Sequence, residues 1–456
     1  MLLGIVLCGV GVLAWLLMLE LGQRVHDISS LHRGADAASY SAAILQARAL
    51  NMHAYINRAQ LAHQIAIAHI IGAATATQYR SKLGQQAQRR NPPPSLIGAF
   101  FGPQHSAAYM AALAGGLGDH VSQQTFRQAV IRHERVVHHV LGRVRTQQIQ
   151  QLEQQRQEAI ERILVRNLGH SGSAMRGDSL KELGLSIQMT LDESKDFVVQ
   201  HSANDATWRN FLTALVGQYG FLDERDKTHR NFWLVNARCP HKRHELRRRG
   251  RLELSAEGQW HSEETLSFHA LRHNKLIGCY HREYPMGWAV LATQKDQLTH
   301  SESSGAPIDF NRRPFWRWAR AQSGSMWNIF NGRENPLAKS FGTSAAVRWP
   351  SKGLGQYAQI AKGRQYEPIR FGLRVQQRLK GDAVITSDST AQTYFEAPLD
   401  QSTSKYSPNR GMRRQPVEAV NGSLFAPYWR ATLVPNQQVT SSMDRRSKSM
   451  MHDSDR

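Results

Sequence analysis

The sequence predicts an α+β fold: an N-terminal transmembrane helix, long Ala-rich and Gln-rich helices, then a β-containing C-terminal domain. Three observations predict it. Met1 to Leu19 contains no charged residue. Small and apolar residues then recur three and four apart for some fifty positions, the period of a helix face. Beyond Ser179 the texture changes to short alternating runs bounded by Gly, Pro and Ser, the pattern of strands. The composition-based plan is an anchor at residues 1–21, an Ala-rich helical region at 22–90, a linker and long amphipathic helix at 91–170, an α+β domain at 171–435, and a disordered polar tail at 436–456. A chain of 456 residues accommodates about one to three domains and buries a core without disulfide staples.

The first element, MLLGIVLCGVGVLAWLLML, matches the roughly 20 apolar residues needed to cross a bilayer. A buried core helix would show a polar face over five turns. A cleaved signal peptide would end in small residues, whereas this run ends in Leu19, Glu20, Leu21, Gly22 and Gln23. The run reads as an uncleaved anchor, and no other stretch approaches spanning length.

From Ala35 to Lys82 the chain is Ala-rich and free of Pro. Ala38, Ala42, Ala47 and Ala59 form a small-residue face that lets a second helix approach closely. Asn57 and Arg58 sit where they either fix the register of such a pairing or face solvent. NPPPS at Asn91–Ser95 ends the helix, and Leu96–Phe101 reads as a short apolar loop or strand. A second long helix is predicted over Ser122–Leu168, packed on one side, with Gln148 and Arg156 interrupting its apolar seam. Gly169–Ser179 is a Gly/Ser-rich boundary. Strands are predicted at Arg251–Ser255, Phe371–Gln376, Thr390–Pro398 and Tyr428–Val434.

Lys and Arg total 57 against 36 Asp and Glu, a net charge of +21. Such an excess points to a polyanionic partner: nucleic acid, anionic lipid or an acidic polymer. Arg238–Arg251 carries seven basic residues and one acid, Glu245, and reads as a phosphate-binding or simply solvated loop. Asn311–Gln322 interleaves Arg with Phe315, Trp316 and Trp318, which suits base stacking, a membrane interface or a half-buried helix. Cys8 lies in the span. For Cys239 and Cys279 three states are open: a disulfide, two free thiols, or zinc ligation together with His241, His244 and His281. There is no GxSxG, HExxH or phosphate loop, so no catalytic residue, metal or cofactor is assigned.

Gly34–Ala68 carries a more specific pattern: Asp36, Ala37, Ala38, Tyr40, Ser41, Ala42, Gln46–Asn51, Tyr55 and Asn57–Ala59. This block resembles the N-terminal region of the TadE/TadG-like proteins of Tad (tight adherence, Flp) pilus assembly. Gly22, Gln23 and Val25 match the end of that family's span. Trp260, Thr265–Ser267, Cys279, Pro285, Gly287 and Trp288 resemble its middle. Tyr394, Phe395, Pro398, Leu424, Phe425 and Pro427–Trp429 resemble its C-terminal end.

The resemblance implies a bacterial inner-membrane protein with one span and a large periplasmic domain, non-catalytic and pseudopilin-like or accessory. Its implied partners are the inner membrane, other pilus-assembly proteins and anionic envelope polymers; nucleic acid is not expected. The sequence departs from the family in lacking an Arg-rich stretch before the span and a prepilin-processing Gly–Glu signal. Taken literally, Arg24 and Arg33 after the span favour a cytoplasmic domain. A true start further upstream is therefore expected. The alternative reading is a membrane-tethered basic nucleic-acid-binding protein with a cytoplasmic domain, and an envelope hydrolase with a non-contiguous site ranks third.

Overall fold

The computed structural model describes residues 2–115, 123–169, 180–201, 205–216, 219–220, 225–275, 278–294, 347–365, 367–379, 382–396 and 422–436. The Arg/Trp stretch at 311–322 and all of the tail but Asn436 lie outside the described residues, as does most of the Gly/Ser-rich boundary.

Helix and sheet segregate along the chain as an α+β fold requires. Helix α1 runs from Leu2 to Gln88 without a break. Helices α2 (Pro94–Phe101), α3 (Pro103–Gly115) and α4 (Gln123–Arg135) follow. A π-helical turn at Val136–Leu141 leads into α5 (Gly142–Leu168). Strands begin at β1 (Leu185–Asp192) and β2 (Val198–His201). After α6 (Ala206–Val216) come β3 (Lys227–Arg230), β4 (Glu245–Leu254), β5 (Trp260–Asn274) and β6 (Gly278–Gln294). The remainder are β7 (Val347–Pro350), β8 (Tyr357–Ile360), β9 (Ile369–Arg378), β10 (Val384–Phe395) and β11 (Trp429–Val434).

Leu96–Phe101, read from sequence as a loop or strand, is helical. Six apolar residues cannot distinguish the two periods, and Pro at the first turn of α2 supplies a pre-set φ at the one place where its missing N–H is harmless. The predicted helix over 122–168 is interrupted by the π turn, which ends at Gly142.

The chain divides into two units whose boundaries differ from the composition-based plan. Unit 1 comprises residues 1–59, 143–201 and 358–456; unit 2 comprises 60–142 and 202–357. The stretch 171–435, expected to be one domain, contributes to both. Composition registers local texture, whereas these units are assembled by strand pairings far apart in sequence.

In unit 1 an antiparallel sheet of order β1-β9-β10-β11 packs on α1 and α5. Leu31, Ala35, Ala38 and Ala42, spaced four, three and four apart, form a stripe of α1. They meet Ile160 and Leu164 of α5 and Leu185, Phe371, Leu373 and Val375 of the strands. Alanine keeps the helix backbone close to the sheet, and the larger strand residues supply most of the buried apolar area. Further along, Ala47 and Leu50 join Phe197, Ile369, Leu424 and Trp429.

In unit 2 the sheet is β3-β4-β5-β6-β7, antiparallel except for the parallel β6–β7 pair. Tyr79, Leu83 and Ala87 of α1 pack with Ile97, Tyr109, Leu246, Phe268 and Met286. The approach is close enough to require glycine at 287. A Cβ there would lie 2.9 Å from the Tyr79 ring and 3.0 Å from Leu83 Cβ.

Candidate functional site

The first candidate feature is an inversion along α1. Its most apolar residues are the most exposed: Leu3 is 77% exposed and Met18 73%. By length and composition this helix is the one candidate for a membrane span among the described residues. Glu20 and Arg24 close the apolar stretch with an exposed ion pair at 2.9 Å, one helical turn apart. From Leu31 onward the pattern reverses. Small and polar side chains, Ser39, Gln46, His53 and Asn57 among them, are buried. An isolated apolar helix exposed to water is unfavourable, but the same surface is stable in hydrocarbon.

The second feature is how the buried half of α1 is held. Buried polar groups are costly unless satisfied, and here strands and the segments beside them satisfy several of these. Ser389 Oγ on β10 donates to Asp36 Oδ1 at 2.6 Å and lies 2.7 Å from Ser39 Oγ. Thr393 Oγ1 donates to the Ala43 carbonyl. Asn51 makes a two-way bond with the backbone of Trp429, donating to its carbonyl and accepting from its N–H, both at 3.0 Å. Asn57, fully buried, is the densest node. Its Nδ2 donates to the carbonyls of Ala358 and Leu424 at 2.8 Å. Its Oδ1 accepts from Ala358 N–H at 3.2 Å and from Arg145 Nη2 at 3.0 Å. Burial, reinforced by the Arg145 charge, lowers the pKa of neighbouring His53 to about 4.

These contacts define what occupies the small-residue face. Ala38 and Ala42 are buried with Ile160 and Leu164 of α5 as well as with strand residues, and Ala47 with residues of the β2, β8, β9 and β11 region, so this face is occupied within the chain by both a helix and a sheet. Ala59 is half-buried and Arg58 is exposed. Asn57 does fix a register, but that of its own chain.

Arg156, which breaks the apolar seam of α5, is also buried. It pairs with Asp192 at 2.7 Å, donates to Ser194 and stacks over the Phe371 ring. Burial pushes the Asp192 carboxyl up, yet the hydrogen bonds from Arg156 and Ser194 hold it below the usual carboxylate range. Beside this pair lies a groove of about 230 Å³ between α5 and β1/β9, floored by Ile160, Ile187 and Phe371 and rimmed by Glu153 and Glu161.

In unit 2, Cys239 and Cys279 form a disulfide. Among the described residues no group of three or more His, Cys, Asp or Glu is placed to hold a metal ion. Ser267, His269 and Glu283 have the composition of a catalytic triad but not its geometry. Ser267 Oγ lies 2.9 Å from His269 Nε2, and Glu283 approaches the same nitrogen at 4.0 Å. A relay needs the carboxylate on the opposite ring nitrogen. All three residues are at most 2% exposed, so no substrate reaches them.

No family model, curated protein or solved structure matches this chain.

Proposed function

We propose that this chain is a membrane-anchored, non-catalytic structural or assembly protein of Tad-type pilus biogenesis, with its folded part outside the cytoplasm of a bacterium. The observation that carries the reading is the inversion of α1, one continuous helix whose exposed apolar stretch passes into a buried, small-residue stretch wrapped by strands. That arrangement suits a protein whose helix is held by lipid at one end and by its own sheet beyond it. The Cys239–Cys279 disulfide supports an oxidising compartment. The resemblance to TadE/TadG-like proteins gains support from packing. Its N-terminal and C-terminal blocks meet through Asn51–Trp429 and Asn57–Leu424. The residues of the resemblance are thus ones that hold a fold together.

The anchored domain translocates irrespective of its charge, since long domains largely escape the positive-inside rule. Its excess of Lys and Arg then faces lipid headgroups or envelope polymers. The test is a phosphatase fusion after Leu254, read in intact cells, combined with deletion of the gene and counting of surface pili. Enzymatic activity of the fusion and loss of pili are expected. An inactive fusion together with salt-sensitive retention of DNA would transfer the protein to the nucleic-acid-binding reading, and normal piliation would remove the pilus role.

A further inference from the structure

The loop joining β3 to β4 presents Phe232, Trp233 and Leu234 to solvent. Phe232 is 96% exposed, and its two neighbours are about half exposed. Consecutive large apolar residues at such exposure are costly in water and mark a surface meant to be covered.

This loop is built to hold them out. Asn231 is buried at its base. It accepts from His244 N–H at 2.7 Å through Oδ1 and donates to the Trp233 carbonyl at 2.8 Å through Nδ2. The Trp233 ring leans on Phe100. The Cys239–Cys279 disulfide ties the far side of the loop to β6, and His281 Nε2 lies 2.8 Å from the Arg243 carbonyl. An apolar tip fixed in advance loses little conformational entropy on binding.

The surroundings say what covers it. From Lys227 to Arg243 there is no Asp or Glu, and Lys227, Arg230, Arg238, Lys242 and Arg243 flank the tip. Arg230 is paired with Glu245, whereas Lys242 and Arg243 donate to backbone carbonyls and have no ion-pair partner among the described residues. Phe, Trp and Leu ringed by Lys and Arg are the composition of a bilayer interface. Phe232 stands almost wholly clear of its own chain. A protein partner would need a pocket deep enough to swallow Phe232, whereas lipid moulds around any protrusion.

We propose that the Phe232–Leu234 tip inserts into the interface of an anionic bilayer, giving unit 2 a membrane contact of its own, separate from the apolar stretch of α1. The proposal does not depend on the pilus reading. It is tested on the full chain held by α1 in nanodiscs, with Cys8→Ser, the disulfide intact and an environment-sensitive fluorophore on Phe232→Cys. Discs containing phosphatidylglycerol report insertion into the same bilayer. Neutral discs mixed with phosphatidylglycerol vesicles report insertion into an opposed one. A blue shift with a several-fold rise in emission in either arm, screened by salt, supports the proposal. The same fluorophore on Asp382→Cys, in an exposed loop of unit 1, should not respond. Where the opposed arm responds, unlabelled Phe232→Ser/Trp233→Ser held by α1 in neutral discs should co-sediment with phosphatidylglycerol vesicles about tenfold more weakly than the parent chain in the same discs. An unchanged spectrum in both arms, an equal response at position 382, or undiminished binding by the double variant overturns the proposal. The first of these outcomes would hand the tip to a protein partner.

Discussion

The two units solve one problem in different ways: each lays a sheet against a stretch of α1. Unit 1 uses mainly amide and hydroxyl groups, with Asn51, Asn57, Ser389 and Thr393 bridging helix and strands, although Ser389 donates to the Asp36 carboxylate and Ser387 Oγ lies 2.7 Å from the His32 imidazole. Unit 2 uses charge and aromatic faces. Arg248 stacks 4.1 Å from the centre of the Tyr79 ring and pairs with buried Glu264, which also takes Arg225 at 2.5 Å. Lys82 lies over the Trp288 ring, and the disulfide closes the loops beside the sheet. Amide and hydroxyl bonds do not change with pH, salt or redox state over the physiological range, whereas ion pairs, buried imidazoles and disulfides do. The unit that carries the exposed apolar stretch is therefore the one whose helix–sheet joint leans less on ionisable groups.

The sharpest way to break this comparison is at Asn57. Asn57→Leu removes four hydrogen bonds and takes an acceptor from buried Arg145, at an expected cost of about 3–5 kcal/mol. Limited proteolysis should show residues 143–201 becoming labile while the unit 2 strands stay protected. If the variant melts within a degree or two of the parent, the node is not what holds unit 1.

Next in size is the disulfide, which acts on unit 2 alone. Cys239 and Cys279 are 40 residues apart, and the chain-entropy model assigns a loop of that length about 4 kcal/mol. Cys239→Ser/Cys279→Ser should lower only the unit 2 transition in a thermal melt followed by site-specific hydrogen exchange. Equal loss in both units would mean that they unfold as one body and that the distinction between them has no thermodynamic content.

How far these features can be read from sequence depends on how local their cause is. The helical period of Ala38, Ala42 and Ala47 is visible because it recurs within a few residues. The alternation in Phe371–Gln376 and Tyr428–Val434 is visible for the same reason. Asn57 stands out as a polar residue on a small-residue face, but its partners Ala358 and Leu424 lie more than 300 residues away and carry no mark of the pairing. From sequence the face therefore reads as one for a second helix; α5 does meet it, but the strands that share it leave no mark nearby. Arg156 reads as a defect in an apolar seam because Asp192, which explains it, lies beyond the Gly/Ser-rich break. The basic segment beginning at Arg238 reads as a phosphate-binding or solvated loop, although Phe232 and Trp233 stand six and five residues upstream. A boundary drawn by charge alone cut the loop in two.

Acid should separate the units in the same direction with a smaller effect. Among the described residues, the histidines whose pKa the fold lowers are His53 in unit 1 and His63, His105, His138, His244, His269 and His281 in unit 2. Burial is the main cause throughout. It is aided by Arg272 at His244, whose pKa falls to about 4, and by Arg247 at His269. A group with a lowered folded pKa binds its proton first in the unfolded chain. The stabilisation it gives is complete above the unfolded value near 6.5 and is lost as pH falls towards the folded value. Unit 2 should thus lose stability between about pH 6.5 and 4 more steeply than unit 1. His244→Asn should flatten that slope in hydrogen exchange followed by mass spectrometry. Equal slopes in the two units would count against the comparison.

The smallest effect comes from the ion pair that looks best on paper. Arg374 of β9 and Asp388 of β10 face each other across the strands as a two-bond fork at 2.7 and 2.8 Å. Hydrogen bonds from Arg374 hold the Asp388 carboxyl below its usual range. Both side chains are nevertheless more than 40% exposed. Water screens such a pair, and ordering two long side chains offsets much of the attraction, so Asp388→Asn should cost about 0.2–1 kcal/mol. The penalty should shrink further in 0.5 M salt. Asp192→Asn, which strips the equivalent partner from buried Arg156 in the same unit, should cost several times more, about 3–5 kcal/mol, and be nearly indifferent to salt. The two substitutions, melted side by side at low and high ionic strength, separate burial from geometry. If Asp388→Asn proved as damaging as Asp192→Asn, the charge pairs on the surface of unit 1 would have to be counted among its joints. Unit 1 would then no longer be the salt-insensitive half of the molecule.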